Sequence, residues 1–97
     1  MTIYLSGQMT GIADYRERFQ RAQDELEAKG IRVINPAKLA DCFGEGALPA
    51  YLEVLKLDFR LIDMADAVGL LPGWENSRGC MAEYGYATGK EKRTIEL

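Results

Sequence analysis

The sequence predicts an α/β fold built on a parallel sheet, and three observations support this prediction. Short segments rich in β-branched and aromatic residues alternate with longer segments whose apolar residues recur at helical spacing. Glycines, prolines and asparagines separate the two kinds of segment. The segment Asp66–Leu71 is mostly apolar, as expected of a parallel strand covered on both faces. Together they indicate a flavodoxin-like (Rossmann-like) three-layer sandwich with about four strands in the order 2-1-3-4.

The predicted elements follow one another in the order β-α-β-loop-α-β-α-β, and residues 1–97 are expected to form a single domain. A loop containing Gly44 and Gly46 is predicted over 36–48. Strands are expected over residues 2–6, 31–34, 66–71 and 93–97, and helices over 13–29, 49–65 and 77–88.

The first helix shows how these boundaries are placed. Its apolar residues share one helical face, at positions i, i+4, i+7 and i+11: Tyr15, Phe19, Ala22 and Leu26. Asp14 and Glu17 resemble a capping box at the start of the helix, and Gly30 is predicted to end it.

The composition argues against several classes of function. The net charge of −3 is not that of a surface that binds nucleic acid polymers. The absence of histidine removes His-based acid–base catalysis and His-ligated metals. Cys42 and Cys80 are too far apart for a CxxC motif, and two cysteines cannot form a zinc quartet, so reduced thiols are expected.

No membrane partner, metal or cofactor is expected either. The longest apolar stretch, Ala67–Pro72, is far shorter than the ~18–20 residues that cross a bilayer. The N-terminus lacks the basic and then apolar pattern of a signal peptide, which favours a cytoplasmic location. Any chemistry must therefore use carboxylates, hydroxyls, Lys, Arg, Tyr or backbone dipoles.

The predicted topology places a ligand crevice at the carboxyl ends of the first and third strands. The loop Gly7–Gly11 and the loop Pro72–Ser77 would meet there. Ser77 is a good N-cap for the third helix, whose N-terminus would suit an anion, although for this residue alone a capping role is the favoured interpretation. Trp74 could stack on a base, or could simply belong to the core.

Two carboxylates lie where charged residues are unexpected. Asp58 has only apolar neighbours three and four positions away on the second helix, and Glu83 has no charged residue at those positions on the third. Burying an ionised carboxylate without a partner is costly, so such a group usually has a specific partner or a function. The alternative is that each carboxylate is only capped or salt-bridged in a local network, which for Asp58 would use Lys56 or Arg60.

These residues together resemble the nucleoside 2-deoxyribosyltransferase-like superfamily, which includes deoxynucleoside 5′-monophosphate N-glycosidases and small phage or bacterial domains of the DUF4406 type. Three segments carry the resemblance, and the last is the most specific. They are Ile3-Tyr4-Leu5-Ser6-Gly7, Asp58-x-x-x-Ile62-x-x-x-Asp66 and Ser77-x-Gly79-x-x-x-Glu83-x-Gly85-x-Ala87.

The resemblance implies a catalytic role for three residues. Glu83 would be the nucleophile that attacks the anomeric carbon and forms a covalent glycosyl-enzyme. Asp58 would assist by hydrogen bonding or proton transfer to the base or the nucleophile, and Tyr4 would orient the glutamate or line the sugar pocket. The implied substrate is a small-molecule nucleoside or nucleotide, with no cofactor and no metal. The residues expected to bind it are Ser6, Gly7, Gln8, Trp74, Asn76, Ser77 and Gly79.

Ser77 favours a 5′-monophosphate, because monophosphate-specific members contact phosphate at that position. The first loop lacks the arginine that those members place there; Arg16, Arg18 and Arg78 are candidates to replace it.

The function predicted from the sequence is hydrolysis or base exchange at the N-glycosidic bond of a 2′-deoxynucleoside or its 5′-monophosphate. The alternatives are a non-catalytic nucleotide-binding protein that sequesters or senses its ligand, and a structural module. A homodimer or higher homo-oligomer packed through the second and third helices is expected, because a small sheet has difficulty covering its apolar helix faces alone.

Overall fold

The computed structural model describes residues 1–42 and 51–97, and it confirms the predicted architecture. All four strands are parallel and their order in the sheet is 2-1-3-4. The elements are β1 (Thr2–Ser6), α1 (Tyr15–Glu27), β2 (Arg32–Ile34), α2 (Tyr51–Met64), β3 (Ala67–Leu70), α3 (Arg78–Gly89) and β4 (Arg93–Glu96), with short 3-10 helices at Pro36–Cys42 and Trp74–Asn76.

The sheet separates two apolar clusters, so the molecule has three layers. On one face, Phe19 and Leu26 of α1 pack against side chains of β1 that include Ile3 and Leu5. On the other face, the cluster is shared by β1, β3, α2 and α3, and its buried members are Tyr4, Ile62, Ala65, Val68, Leu70 and Ala87. Successive residues of β1 therefore face opposite layers, as the twofold periodicity of a strand requires.

The central strands bring two loops together at one edge of the sheet. Ser6, the last residue of β1, lies beside Leu70, the last residue of β3. Both strands run in the same direction, so the loops that follow them leave from the same edge. Gly7 begins the first of these loops, and a Cβ atom there would lie 2.9 Å from Phe19 Cζ. The chain therefore passes close to α1 where only a glycine fits without a shift.

The structure corrects two local predictions. Asp14 precedes α1 but its side chain makes no capping hydrogen bond; it forms an ion pair with Arg18 at 2.9 Å instead. The capping-box prediction is therefore wrong, because the carboxylate pairs along the helix surface. The chain from Pro36 forms a 3-10 helix to Cys42 rather than a loop. The predicted Gly44 and Gly46 loop and the helix start at residue 49 lie outside the described residues.

The C-terminal ends of the helices are closed in different ways. Gly30 has φ +81°, a conformation that favours glycine, and it ends the α1 region as predicted. At the end of α2, the Lys92 ammonium donates to the carbonyl oxygens of Ile62 at 2.9 Å, Asp63 at 3.3 Å and Ala65 at 2.5 Å. Lys92 therefore connects the C-terminal end of α2 to the turn before β4 through hydrogen bonds. Among the described residues, no helix is long and apolar enough to cross a bilayer.

Candidate active site

Glu83 is the centre of the candidate site. It lies on α3 and faces the sheet, and its side chain is buried with only 6% of its surface exposed. Its two carboxylate oxygens accept separate hydrogen bonds, one from the Tyr4 hydroxyl at 2.7 Å and one from the Ser6 hydroxyl at 2.7 Å. A buried carboxylate with a donor on each oxygen is held in one orientation.

The two donors come from alternate positions of β1. Tyr4 and Ser6 are two residues apart, so their side chains point to the same face of the sheet, toward α2 and α3. Both side chains are buried. The resemblance implies that Tyr4 orients the glutamate or lines the sugar pocket, and in the structure its hydroxyl donates to Glu83 at the cavity. The resemblance also implies that Ser6 binds substrate, whereas in the structure the Ser6 hydroxyl donates to Glu83.

Asp58 approaches the same point from α2. Its partly buried side chain lies close to Glu83 and Tyr4. Lys56, a possible local partner of Asp58 in the sequence, instead pairs with Glu53 at 3.3 Å on the helix surface. Asp58 and Glu83 therefore form a carboxyl pair between two helices.

The surroundings raise the pKa of every acid in this cluster. Burial raises the pKa of Glu83 to about 8; the nearby Asp58 charge adds to this effect, and the hydroxyls of Tyr4 and Ser6 oppose it. Burial also raises the pKa of Asp58. The pKa of Tyr4 lies well above its usual value because of burial and the two carboxylates. Like charges this close cannot easily both ionise, so the pair retains one proton near neutral pH.

The carboxyl pair opens into a cavity of about 550 Å³. The cavity is formed where the loop after β1 meets the N-terminus of α3, as the topology predicts. Asp58, Glu83 and Tyr4 all line it. So do five residues expected to bind substrate: Gly7, Gln8, Asn76, Ser77 and Gly79.

Trp74 lies elsewhere. It is not among the residues that line the cavity. Its ring lies 4.9 Å from that of Tyr84, and its indole nitrogen donates to Glu96 at 3.3 Å. Aromatic packing between the 3-10 helix and α3 therefore accounts for this side chain, which was one of the two interpretations that the sequence left open.

Ser77 caps α3, since its hydroxyl accepts a hydrogen bond from the backbone N–H of Cys80 at 3.2 Å. Cys80 is a buried, free thiol that lines the cavity but is not among the site residues expected from the sequence. The spacing in the sequence could have indicated its place. Cys80 lies three residues from both Ser77 and Glu83, so all three share one face of the helix.

The three arginines proposed from the sequence have different positions. Arg78 lines the cavity and is the only cationic side chain among the described residues that do so. Arg18 pairs with Asp14, and the Arg16 guanidinium lies 4.8 Å from the centre of the Tyr15 ring. Among the described residues, no group of acidic or cysteine side chains has the composition of a metal site.

Comparisons with known proteins place the chain in a family and confirm its fold. The family model described as a domain of unknown function, DUF4406, matches residues 1–95. The chain is similar to a 2-desoxiribosyltransferase from Leishmania mexicana at 17% sequence identity and a TM-score of 0.72, over 99% of this chain and 63% of that one. It is also similar to the Clostridium botulinum CMP N-glycosidase BcmB, at 24% identity and a TM-score of 0.65, over 100% of this chain and 68% of that one.

These two likenesses confirm the fold expected from the resemblance to the nucleoside 2-deoxyribosyltransferase-like superfamily. This chain spans only about 63% of the length of the first structure. None of the curated proteins matches it. The chain belongs to the DUF4406 family.

Proposed function

We propose that this member of the DUF4406 family cleaves the N-glycosidic bond of a 2′-deoxynucleoside or its 5′-monophosphate. One observation carries the proposal: a buried carboxylate, Glu83, is held by two hydroxyl donors beside a second carboxyl group at a cavity of about 550 Å³. Such a cavity has room for a nucleotide-sized ligand. The names of the two structural neighbours, a deoxyribosyltransferase and a CMP N-glycosidase, support the same class of chemistry.

The first step uses the carboxyl pair in two different roles. Glu83 attacks C1′ of the sugar as the C1′–N bond breaks, and a glycosyl ester forms on the glutamate. The electrons of the broken bond go to the base nitrogen, which takes a proton from Asp58. Carboxylates suit this reaction because its transition state carries positive charge on the sugar ring. The pair retains one proton near neutral pH, and its reactive form is the one in which Asp58 carries this proton and Glu83 is ionised.

The second step releases the sugar. Asp58, now ionised, takes a proton from a water molecule or from a second nucleobase. The nucleophile that results attacks C1′. The bond between C1′ and Glu83 breaks, and the glutamate regains its charge. Tyr4 and Ser6 stabilise that charge through the hydrogen bonds they donate in the free protein. The site thus returns to its starting protonation state.

The test is base release from a panel of nucleosides and their 5′-monophosphates, in both ribose and deoxyribose forms. We expect the wild type to release free base and Glu83→Gln to lose at least about a hundredfold in rate. The exposed Glu25→Gln on α1 is the matched control and should retain wild-type turnover. A glycosyl adduct on the peptide that contains Glu83, seen by intact mass, would identify the nucleophile directly.

Two outcomes would contradict the proposal. If no substrate of the panel loses its base, the chain is not an N-glycosidase of these compounds. Tight binding without base release would favour the sequestering or sensing protein instead. Turnover by Glu83→Gln within tenfold of wild type would reject the assignment of the nucleophile.

Arg78 makes the 5′-monophosphate the favoured substrate within this proposal. Its position at the start of α3 is five residues before Glu83, about 7.5 Å along the helix axis. A guanidinium at that separation can donate to a phosphate while C1′ reaches the glutamate. We expect Arg78→Ala to lower kcat/KM about tenfold or more for the monophosphate and to leave the nucleoside unaffected; exposed Arg60→Ala on α2 serves as control. Equal losses on both substrates would exclude a phosphate contact.

A homo-oligomer packed through α2 and α3 belongs to the same proposal. Three large apolar side chains are exposed among those that the structure describes on these helices: Leu52, Met64 and Met81. Light scattering at micromolar concentration should give at least a dimer mass. A monomer mass there would reject this assembly.

A further inference from the structure

The two carboxylate oxygens of Glu83 have different surroundings. Oε2 accepts from the Tyr4 hydroxyl and Oε1 from the Ser6 hydroxyl, each at 2.7 Å. Both donors are buried, but they differ in their relation to the cavity. Tyr4 and Glu83 line it, whereas Ser6 is not among the described residues that do so. The Tyr4 side of the carboxylate therefore faces the cavity, and the Ser6 side faces the interior of the protein.

Each of these oxygens keeps one lone pair for a further partner, because a carboxylate oxygen has two and the hydroxyl occupies one. On Oε2, a ligand in the cavity can reach the remaining lone pair. Oε1 is bonded to a side chain outside the cavity wall. The strand that carries this side chain is paired with a neighbour on each side, so it does not move aside for a ligand.

We propose that Oε2 of Glu83 is the atom that attacks C1′, and that Ser6 is a positioning residue that holds Oε1 without contacting the substrate. This inference rests on the proposed function. The bond between Oε2 and C1′ forms as the C1′–N bond breaks, and the electrons of the broken bond go to the base nitrogen, which takes a proton from Asp58. Oε1 becomes the carbonyl oxygen of the glycosyl ester and keeps its hydrogen bond from Ser6. Tyr4 loses its acceptor, because the bridging oxygen of an ester accepts only weakly.

The contribution of Ser6 is to fix the plane of the carboxylate. The last torsion of a glutamate side chain is broad, so a single donor leaves the group free to turn about it. The second donor removes this freedom. A misaligned nucleophile reacts more slowly although the substrate binds equally well. Ser6 should therefore affect turnover and leave binding unchanged, whereas a residue that contacts the substrate affects both.

Substitutions at Ser6 test this separation of rate from binding. We expect Ser6→Ala to lower kcat/KM roughly tenfold. The Kd of the 5′-monophosphate, measured in a Glu83→Gln background so that the ligand is not consumed, should change by less than about twofold. Ser6→Thr and Ser6→Val are a matched pair, because they have nearly the same shape and differ in the hydroxyl, and Ser6→Thr should be at least about fivefold faster. Equal rates for this pair, or a loss of binding as large as the loss of kcat/KM, would overturn the positioning role.

The infrared spectrum of the glycosyl-enzyme tests which oxygen attacks. A 2′-fluorinated substrate slows release of the sugar, because the fluorine destabilises the positively charged transition state. Isotope-labelled glutamate then identifies the stretch of the ester carbonyl, which a hydrogen bond moves to lower frequency. We expect Ser6→Ala to move this stretch to higher frequency and Tyr4→Phe to leave it unchanged. The opposite pattern would show that Oε1 attacks.

A measurement without substrate separates this inference from the proposed function. The stability of the protein relative to the same protein with Glu83→Gln stops falling above the pH at which folded Glu83 is ionised. Tyr4 from β1, Asp58 from α2 and Cys80 from α3 face this carboxyl group and are the same in every Ser6 variant. We expect Ser6→Ala and Ser6→Val to raise this pH by roughly 0.5–1 unit, because a donor to the ionised form is lost, and Ser6→Thr to leave it unchanged.

The combined outcomes identify which claim fails. The expected pH shift in a protein that releases no base would support the positioning of Glu83 by Ser6, and would reject the N-glycosidase together with the assignment of the attacking oxygen. A pH that neither Ser6→Ala nor Ser6→Val changes would overturn the positioning role, whatever the activity.

Discussion

Replacing Glu83 with glutamine should change how the stability of the protein depends on pH. In the folded chain, burial raises the pKa of Glu83 from its usual 4.5 to about 8. Folding therefore favours the protonated form. The stability that this group contributes is fully present below about pH 4.5 and is lost as the pH rises through 8. Glutamine does not titrate, so Glu83→Gln removes this loss.

The magnitude follows from the size of the pKa shift. A shift from 4.5 to about 8 corresponds, at about 1.36 kcal/mol per unit, to an upper limit of about 5 kcal/mol. Asp58 shares the proton with Glu83, so part of the titration belongs to the pair. We expect the stability of Glu83→Gln, relative to wild type, to improve by about 2–4 kcal/mol between pH 5 and pH 8.

Urea unfolding at several pH values, followed by the fluorescence of the single tryptophan Trp74, measures this difference. Glutamine in place of glutamate also changes the hydrogen bonds with Tyr4 and Ser6, but that cost is similar at every pH. Glu25→Gln, an exposed change of the same kind on α1, should show no such trend. A stability difference between Glu83→Gln and wild type that stays constant from pH 5 to pH 8 would refute the argument that burial controls this carboxyl group.

The remaining predictions concern the scaffold that carries the site. Gly7→Ala should destabilise the protein by about 1–3 kcal/mol and reduce any ligand binding, because its Cβ would lie 2.9 Å from an α1 ring atom. A Cβ atom at Gly85 on α3 would meet nothing within 4 Å, so Gly85→Ala should stabilise the protein by about 0.5–1 kcal/mol. Urea unfolding measures both variants, and equal effects would contradict the close approach at Gly7. Lys92→Met should cost about 1–3 kcal/mol, because carbonyl groups at the end of α2 lose their donor. Lys56→Met, on the exposed surface of α2, should cost less than about 0.5 kcal/mol, and a similar cost for both lysines would show that Lys92 contributes no more than a surface charge.

The topology could be predicted because the sequence agrees with it at several levels. The apolar face of α1, the glycine at position 30 and the apolar β3 segment each indicate the same alternation of strands and helices. Element boundaries differed by a few residues. The capping box failed because Asp14 could either cap the helix or pair with Arg18, and spacing alone does not decide between the two.

The candidate site was partly predictable for a related reason. Asp58 and Glu83 stood out because a charged residue on an apolar helix face needs an explanation, and the structure brings these two together. The Ser6 hydroxyl could not be assigned to Glu83 from the sequence, because that contact joins residues 77 positions apart. The sequence around Trp74 is compatible with a position in a cleft and with a position in a packed cluster. Only the fold shows that its ring packs against Tyr84.

The position of both hydroxyl donors on β1 has a consequence for how this fold can vary. β1 is hydrogen-bonded to β2 on one side and to β3 on the other, so two neighbouring strands fix its register. Slipping it by one residue would turn Ile3 and Leu5 toward Glu83 and leave the buried acid facing hydrocarbon. The loops around the cavity can therefore gain or lose residues and adapt to new ligands. An insertion or deletion within β1 before Ser6, in contrast, would move the hydroxyl donors away from Glu83.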